Sequence, residues 1–139
     1  MRAWPSLAAA ALLGLGACAG GTQGTQADDA AVCAAYKAGQ SHVEVVAAGT
    51  VTRVYGTRAG RTSPHEGFLM KLASGCVVVV RIEANTDFTG EFPLREGDAV
   101  TVKGEYEYYP LGGVIHWTHR DPRGRHEGGY IEAEGKFYD

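Results

Sequence analysis

The sequence has no Gly-x-Ser-x-Gly elbow, phosphate-binding loop, dinucleotide fingerprint or Cys-x-x-Cys pair. The reactions that depend on those devices are therefore excluded as first readings. No apolar run approaches the roughly 20 residues that a permanent membrane-spanning helix needs. Positive charge is not in excess either, with 13 Lys and Arg against 16 Asp and Glu and a net charge of −3. Such a chain presents no global field to a polyanion, so nucleic acid is not an expected partner. Internal repeats and a second helix-rich region are missing, and there are only three cysteines in 139 residues.

What is present begins with Arg2 and the small, apolar run Leu7 to Ala17, which reads as a secretory signal. Its end, Leu15-Gly16-Ala17-Cys18, places small residues before a thiol, as lipoprotein processing requires. Cys18 then becomes the lipidated first residue of the mature protein. The alternative is ordinary cleavage, with Cys18 discarded or left free. Ala19 in place of aspartate after the cysteine points to the outer membrane. The expected organisation is a signal peptide over 1–17, a Gly/Thr/Gln/Ala/Asp tether over 18–29 and one domain over 30–139, exported to the periplasm and lipid-anchored there. Cys33 and Cys76 remain as a pair in an oxidising compartment. A disulfide between them is expected, with two buried free thiols as the alternative.

The Ala-rich stretch Ala30 to Lys37, with Val32 and Tyr36 on one face and Gly39 beyond it, predicts one short helix. Strands follow. Val43 to Tyr55 is Val/Thr-rich around Gly49, and an interior glycine there marks a bulge or a sharp barrel bend. Phe68–Leu72 and Cys76–Ile82 flank Ala73-Ser74-Gly75 as a hairpin. Ala99–Tyr108 alternates, Gly113–Thr118 is a further strand, and Tyr130–Tyr138 is the last. The fold class is all-β with one short N-terminal helix, expected as a small OB-like closed barrel, with a β-sandwich or SH3-like barrel as alternatives.

Gly104-Glu105-Tyr106-Glu107, the string Gly112-Gly113-Val114-Ile115-His116-Trp117-Thr118-His119, then Asp121-Pro122, Gly124, His126 and Gly128-Gly129-Tyr130-Ile131 resemble the signature of bacterial domain of unknown function 3465. The resemblance spans roughly Val45 to Tyr138 and includes His65, Phe68, Leu69, Gly97 and Asp98. It implies small exported proteins without an assigned activity. The chain departs from the pattern at Glu83 or Asn85 and at Glu132 or Glu134, where relatives carry histidines, and at Tyr130, where a tryptophan is usual.

Several residue groups carry candidate chemistry. A turn at Asp121-Pro122 and Gly124 would bring His119, Asp121 and His126 together, with His65 or His116 arriving from a neighbouring strand, as a site for Zn²⁺ or another divalent ion. Hydrogen bonding that pins the loop is the plainer reading of these histidines. Arg120, Arg123 and Arg125 form a cationic patch for a phosphate, carboxylate or acidic sugar. Glu105 and Glu107 share a strand face, their backbones about 6.6–7 Å apart, a spacing that overlaps paired-carboxylate hydrolases. Tyr106 and Tyr108, on the opposite face, are core residues or a stacking platform. Trp117, in phase with Ile115, is expected in the core, with a share in ligand binding beside His116. The leading functional expectation is a non-catalytic envelope binding module that holds a small ligand or partner through the 116–126 segment. The alternatives are a metal-dependent hydrolase built on His116, His119, Asp121 and His126 with Glu105 as base, and a purely structural lipoprotein. No cofactor is required by the first reading.

Overall fold

The computed structural model describes residues 27–76 and 79–139. The expected signal peptide, Cys18 and most of the tether lie outside the described residues. The elements are α1 (Asp29–Ala38), β1 (Val43–Ala59), β2 (Pro64–Leu72), β3 (Val80–Asn85), α2 (Thr86–Thr89), β4 (Ala99–Glu107), β5 (Val114–His116), β6 (Tyr130–Ala133) and β7 (Lys136–Tyr138). All seven strands belong to one sheet, so the two stacked sheets of a sandwich are not what forms. Five strands make a ring in the order β1-β2-β3-β5-β4, with β4 pairing back onto β1 and β3 parallel to β5. Among the described residues no helix is long and apolar enough to cross a membrane.

One strand serves two neighbours, and that is how the ring closes. The first half of β1 pairs with β4 and the second half with β2, and Gly49 is in register with both Val100 and Leu72. A Cβ at Gly49 would sit 2.2 Å from the Lys71 carbonyl oxygen, so only glycine lets the backbones approach at this bend. Alternation then turns Val45, Ala47, Val51, Phe68, Met70, Ile82, Val102, Ile115 and Ile131 inward as a continuous core. Each large aliphatic or aromatic side chain so buried contributes about 1.5–3 kcal/mol of transfer free energy. Tyr106 also points inward, fully buried, and its hydroxyl donates to the Gly112 carbonyl at 3.1 Å.

Helix α1 packs against this ring through Val32 and Ala35, capped by Asp28 at its start and by left-handed Gly39 at its end. It is fastened twice. Cys33 and Cys76 form a disulfide, with Cα atoms 5.7 Å apart. The Asp29 carboxylate accepts from Ala48 N at 2.9 Å and Ser74 N at 3.0 Å. Asp28 and Asp29, assigned by composition to the tether, therefore belong to the domain.

Strand boundaries differ from the sequence reading: β1 runs on to Ala59, β2 begins at Pro64 and β3 ends at Asn85, and three further differences have a visible cause. The second hairpin strand starts at Val80, because Cys76 is drawn to the helix. The last strand is a hairpin, β6–β7, turned by Glu134 and Gly135 with φ of 53° and 75°. The third correction concerns β5, which stops at His116 because Trp117 takes the left-handed conformation with φ 55°. That one residue resets the phase. Trp117 is 39% exposed where the core was expected, while Thr118 and His119 turn inward at 0% and 2%.

Candidate functional site

The outer face of the ring carries the polar chemistry, arranged in two rows set by the strand register. Arg53, Leu69, Arg81, Val114 and Glu107 lie side by side across β1, β2, β3, β5 and β4. In the neighbouring row Gly67 faces Glu83, and His116 faces Glu105. Charge is thereby sorted across the face, with guanidinium groups on the β1–β3 side and carboxylate and imidazole groups on the β5–β4 side. A cleft of about 940 Å³ opens over these rows. Its walls include apolar Leu69, Val79, Leu111 and Val114 between Arg58 and Arg81 at one side and Glu107 and His116 at the other.

On the cationic side, Arg53, Arg58 and Arg81 stand 5.1, 5.2 and 5.4 Å from the centre of the Tyr55 ring. Glu83 pairs with Arg81 and, at 3.9 Å, with Arg58. Two of the three guanidinium groups thus share one carboxylate and Arg53 meets only the Tyr55 ring, which leaves a net positive charge against an aromatic face. Beside them His65 Nδ1–H donates to the Ser63 carbonyl, 2.8 Å away, so its ring is committed to the β1–β2 turn.

On the acidic side, β4 lies between β1 and β5, and a histidine reaches it from each neighbour. His42, immediately before β1, places Nδ1 3.0 Å from Glu105 Oε1 and 2.9 Å from Glu107 Oε1. His116, on β5, places Nε2 3.6 Å from each of the same two oxygens. The His116 Nε2 atom is shielded from solvent and has no hydrogen-bond partner. The hydrogen bond with Glu105, aided by the charge of Glu107, raises the His42 pKa. Burial works to raise Glu105, but the hydrogen bond from His42 and the nearby imidazoles outweigh it and hold that carboxyl below its usual value.

The 117–128 loop is a separate structure. Asp121 organises it by accepting from Arg123 N at 2.9 Å and His126 N at 3.2 Å, with the Arg125 backbone amide and guanidinium also on its carboxylate. These donors overcome the burial that would raise the Asp121 pKa and bring it down to about 2. His119 stacks on Phe88 of α2 at 4.3 Å, and its Nδ1–H donates to the Arg120 carbonyl at 2.6 Å. Burial, the largest influence, pushes the His119 pKa down. His126 stacks under Trp117 at 4.5 Å and bonds the Glu127 carbonyl through Nδ1.

The expected metal set therefore does not assemble. His116 turns to Glu105 and Glu107 and His65 to its own turn, while in the loop His126 approaches Asp121 at 3.8 Å and its ring centre lies 5.0 Å from that of His119. The strand break at Trp117 sends His116 and His119 to different surroundings. Among the described residues, the group of donor atoms lying within 4.8 Å of one another is His42, Glu105 and Glu107. The arginine patch is partly neutralised, with Arg120 bound to Asp139 at 2.9 Å and Arg125 to Asp121. Tyr106 is buried, its pKa raised to about 12 by that burial, so no ligand stacks on it. Tyr108 leans on Tyr36 at 5.7 Å beside α1.

Compared with known families, residues 15–139 match the protein family of unknown function DUF3465. The chain belongs to this family. No curated protein and no solved structure matches it. Family membership covers nearly the whole chain and assigns no chemistry, so the site rests on geometry. Sequence reasoning missed His42, Tyr55, Arg53, Arg58 and Arg81. A register argument would have found His42, since antiparallel pairing of β1 with β4 sets Val43 opposite Tyr106 and so puts the preceding residue beside the Glu105–Glu107 face. The arginines carried no local motif, because they meet only when β1 curls over β2 and β3.

Proposed function

We propose that this DUF3465 protein is a binding module of the cell envelope, exported and anchored through a lipid on Cys18, that takes a small anionic ligand with an apolar body into its outer cleft. The observation that carries this reading is Arg58 and Arg81 beside Tyr55, with Glu83 as their shared acid and Arg53 on the same ring, at one side of a cleft whose walls include Leu69, Val79, Leu111 and Val114. Guanidinium groups are suited to carboxylate or phosphate by their fork of donors. The apolar strip beyond them suits a hydrocarbon tail or ring. The ligand surface is then the sheet face, to which the 116–126 segment lends only His116.

Decanoate and decan-1-ol, titrated below their aggregation limits, test the reading because they differ in the head group alone. Decanoate should bind about tenfold more tightly or better, the effect of one charge-assisted hydrogen bond. The paired substitution Arg58→Ala and Arg81→Ala should erase that preference. Equal binding of the two probes, or a preference that survives the substitutions, would overturn it. Anchoring has its own test: Cys18→Ala should move the protein from the membrane fraction to the soluble periplasmic fraction.

A further inference from the structure

From the two flanking strands that bring imidazoles onto one carboxylate pair, we infer that His42, Glu105, Glu107 and His116 form a binding site for a divalent transition-metal ion of the Zn²⁺ class, at the acidic side of the cleft. The donor set is two nitrogens and two oxygens, a borderline combination that fits Zn²⁺ and its first-row neighbours better than Mg²⁺ or Ca²⁺, which favour oxygen alone. The nitrogen–oxygen separations of 2.9, 3.0, 3.6 and 3.6 Å are of the length of polyhedron edges; His42, Glu105 and Glu107 offer donor atoms within 4.8 Å of one another, and His116 faces the two carboxylates from the other strand. With bonds of about 2.0–2.2 Å, a tetrahedron has edges of about 3.3–3.6 Å and an octahedron about 2.8–3.1 Å.

Proton-mediated pairing accounts for only part of this arrangement. One proton on His42 serves both carboxylates at hydrogen-bond distance, yet His116 Nε2 stands 3.6 Å from each oxygen, out of solvent and without a partner. A shielded ring nitrogen facing two carboxylate oxygens beyond hydrogen-bond distance is costly as it stands. It becomes a ligand once a cation sits among them. The site also has access, because Glu107 and His116 line the cleft, and His42 is exposed at the rim. The inference does not depend on the anionic ligand, since none of these four residues belongs to the arginine trio.

Calorimetric titration of ZnCl₂ into the full chain, after chelator treatment and dialysis, should show one ion bound per chain, with Co²⁺ giving ligand-field absorption at the same stoichiometry. Glu105→Gln with Glu107→Gln should weaken Zn²⁺ by more than about 100-fold, beyond the about 10–100-fold typical of changes outside the ligand shell. His42→Ala, at an exposed position that the core does not use, should also weaken it and guards against a folding defect in the double variant. His126→Ala, in the separate loop, should bind like the parent. Affinity weaker than about 1 mM, binding retained by the glutamine and His42 variants, or a loss confined to His126→Ala would each overturn the site.

Discussion

At His119 the burial of one imidazole decides more than its chemistry. The ring is 2% exposed, stacked on Phe88, and spends its Nδ1–H on the Arg120 carbonyl. Truncation to alanine removes that packing and orphans the carbonyl, so His119→Ala should cost about 2–4 kcal/mol in a denaturant titration. Trp117→Ala, which trims a 39%-exposed side chain held in a left-handed conformation, should cost less than that. This ranking reverses the one that strand alternation gives. In the folded state His119 titrates below the 6.5 of an ordinary imidazole, chiefly through burial, with His126 and Arg125 adding to the lowering and the hydrogen bond to the Arg120 carbonyl and then Asp121 opposing it. The unfolded chain therefore binds more protons just below pH 6.5. Stability should fall as pH drops through that region, and the corresponding slope should be missing from His119→Phe.

Elements built on alternation were legible because the pattern and the packing agree. Val80, Ile82 and Ala84 point in while Arg81 and Glu83 point out, and β4 behaves likewise. Elements that end on a single backbone torsion were not. Nothing in Val114-Ile115-His116-Trp117 announces that a bulky tryptophan adopts positive φ, since tertiary contacts impose it against local preference. Sequence proximity groups His119 and His126 with His116, whereas the structure sets Glu105 and Glu107, read from sequence as a carboxylate pair with Glu105 as a possible base beside His116, between His116 and His42. Gly113 illustrates an element fixed by one atom: its φ is 90°, and a Cβ would lie 2.4 Å from the Tyr106 ring. Gly113→Ala should lower the melting temperature by well over 10 °C, as a displaced core tyrosine and a strained torsion together cost about 3 kcal/mol or more. In the adjacent loop, an ordinary aspartate would titrate at 3.8 while Asp121 in the folded chain titrates at about 2. Its contribution is therefore present above pH 4 and lost as pH falls from about 4 towards 2. The protection of the Arg123 and Arg125 amides, measured relative to an unstructured chain at the same pH, should fall across that window in the parent and be low at all pH values in Asp121→Ala.

Across the whole molecule, one covalent link joins the only sizeable helix among the described residues to the loop that leads into β3. The Cys33–Cys76 bridge spans 43 positions, and constraining a loop of that length stabilises the folded chain by about 3–4 kcal/mol on the entropic account. Alkylation should therefore add mass only after reduction, and the reduced protein should melt at a lower temperature. The bridge has a mechanical meaning as well. Only Asp29 to Val32 precede the bridged cysteine within α1, so tension applied at the amino end unwinds about one helical turn before it meets a covalent bond. Load then passes through the sulfurs into the β2–β3 connection and bypasses the first strand of the ring. A tug on the amino terminus would be borne as shear by a staple, and the strands that carry the cleft would keep their register until that staple is reduced.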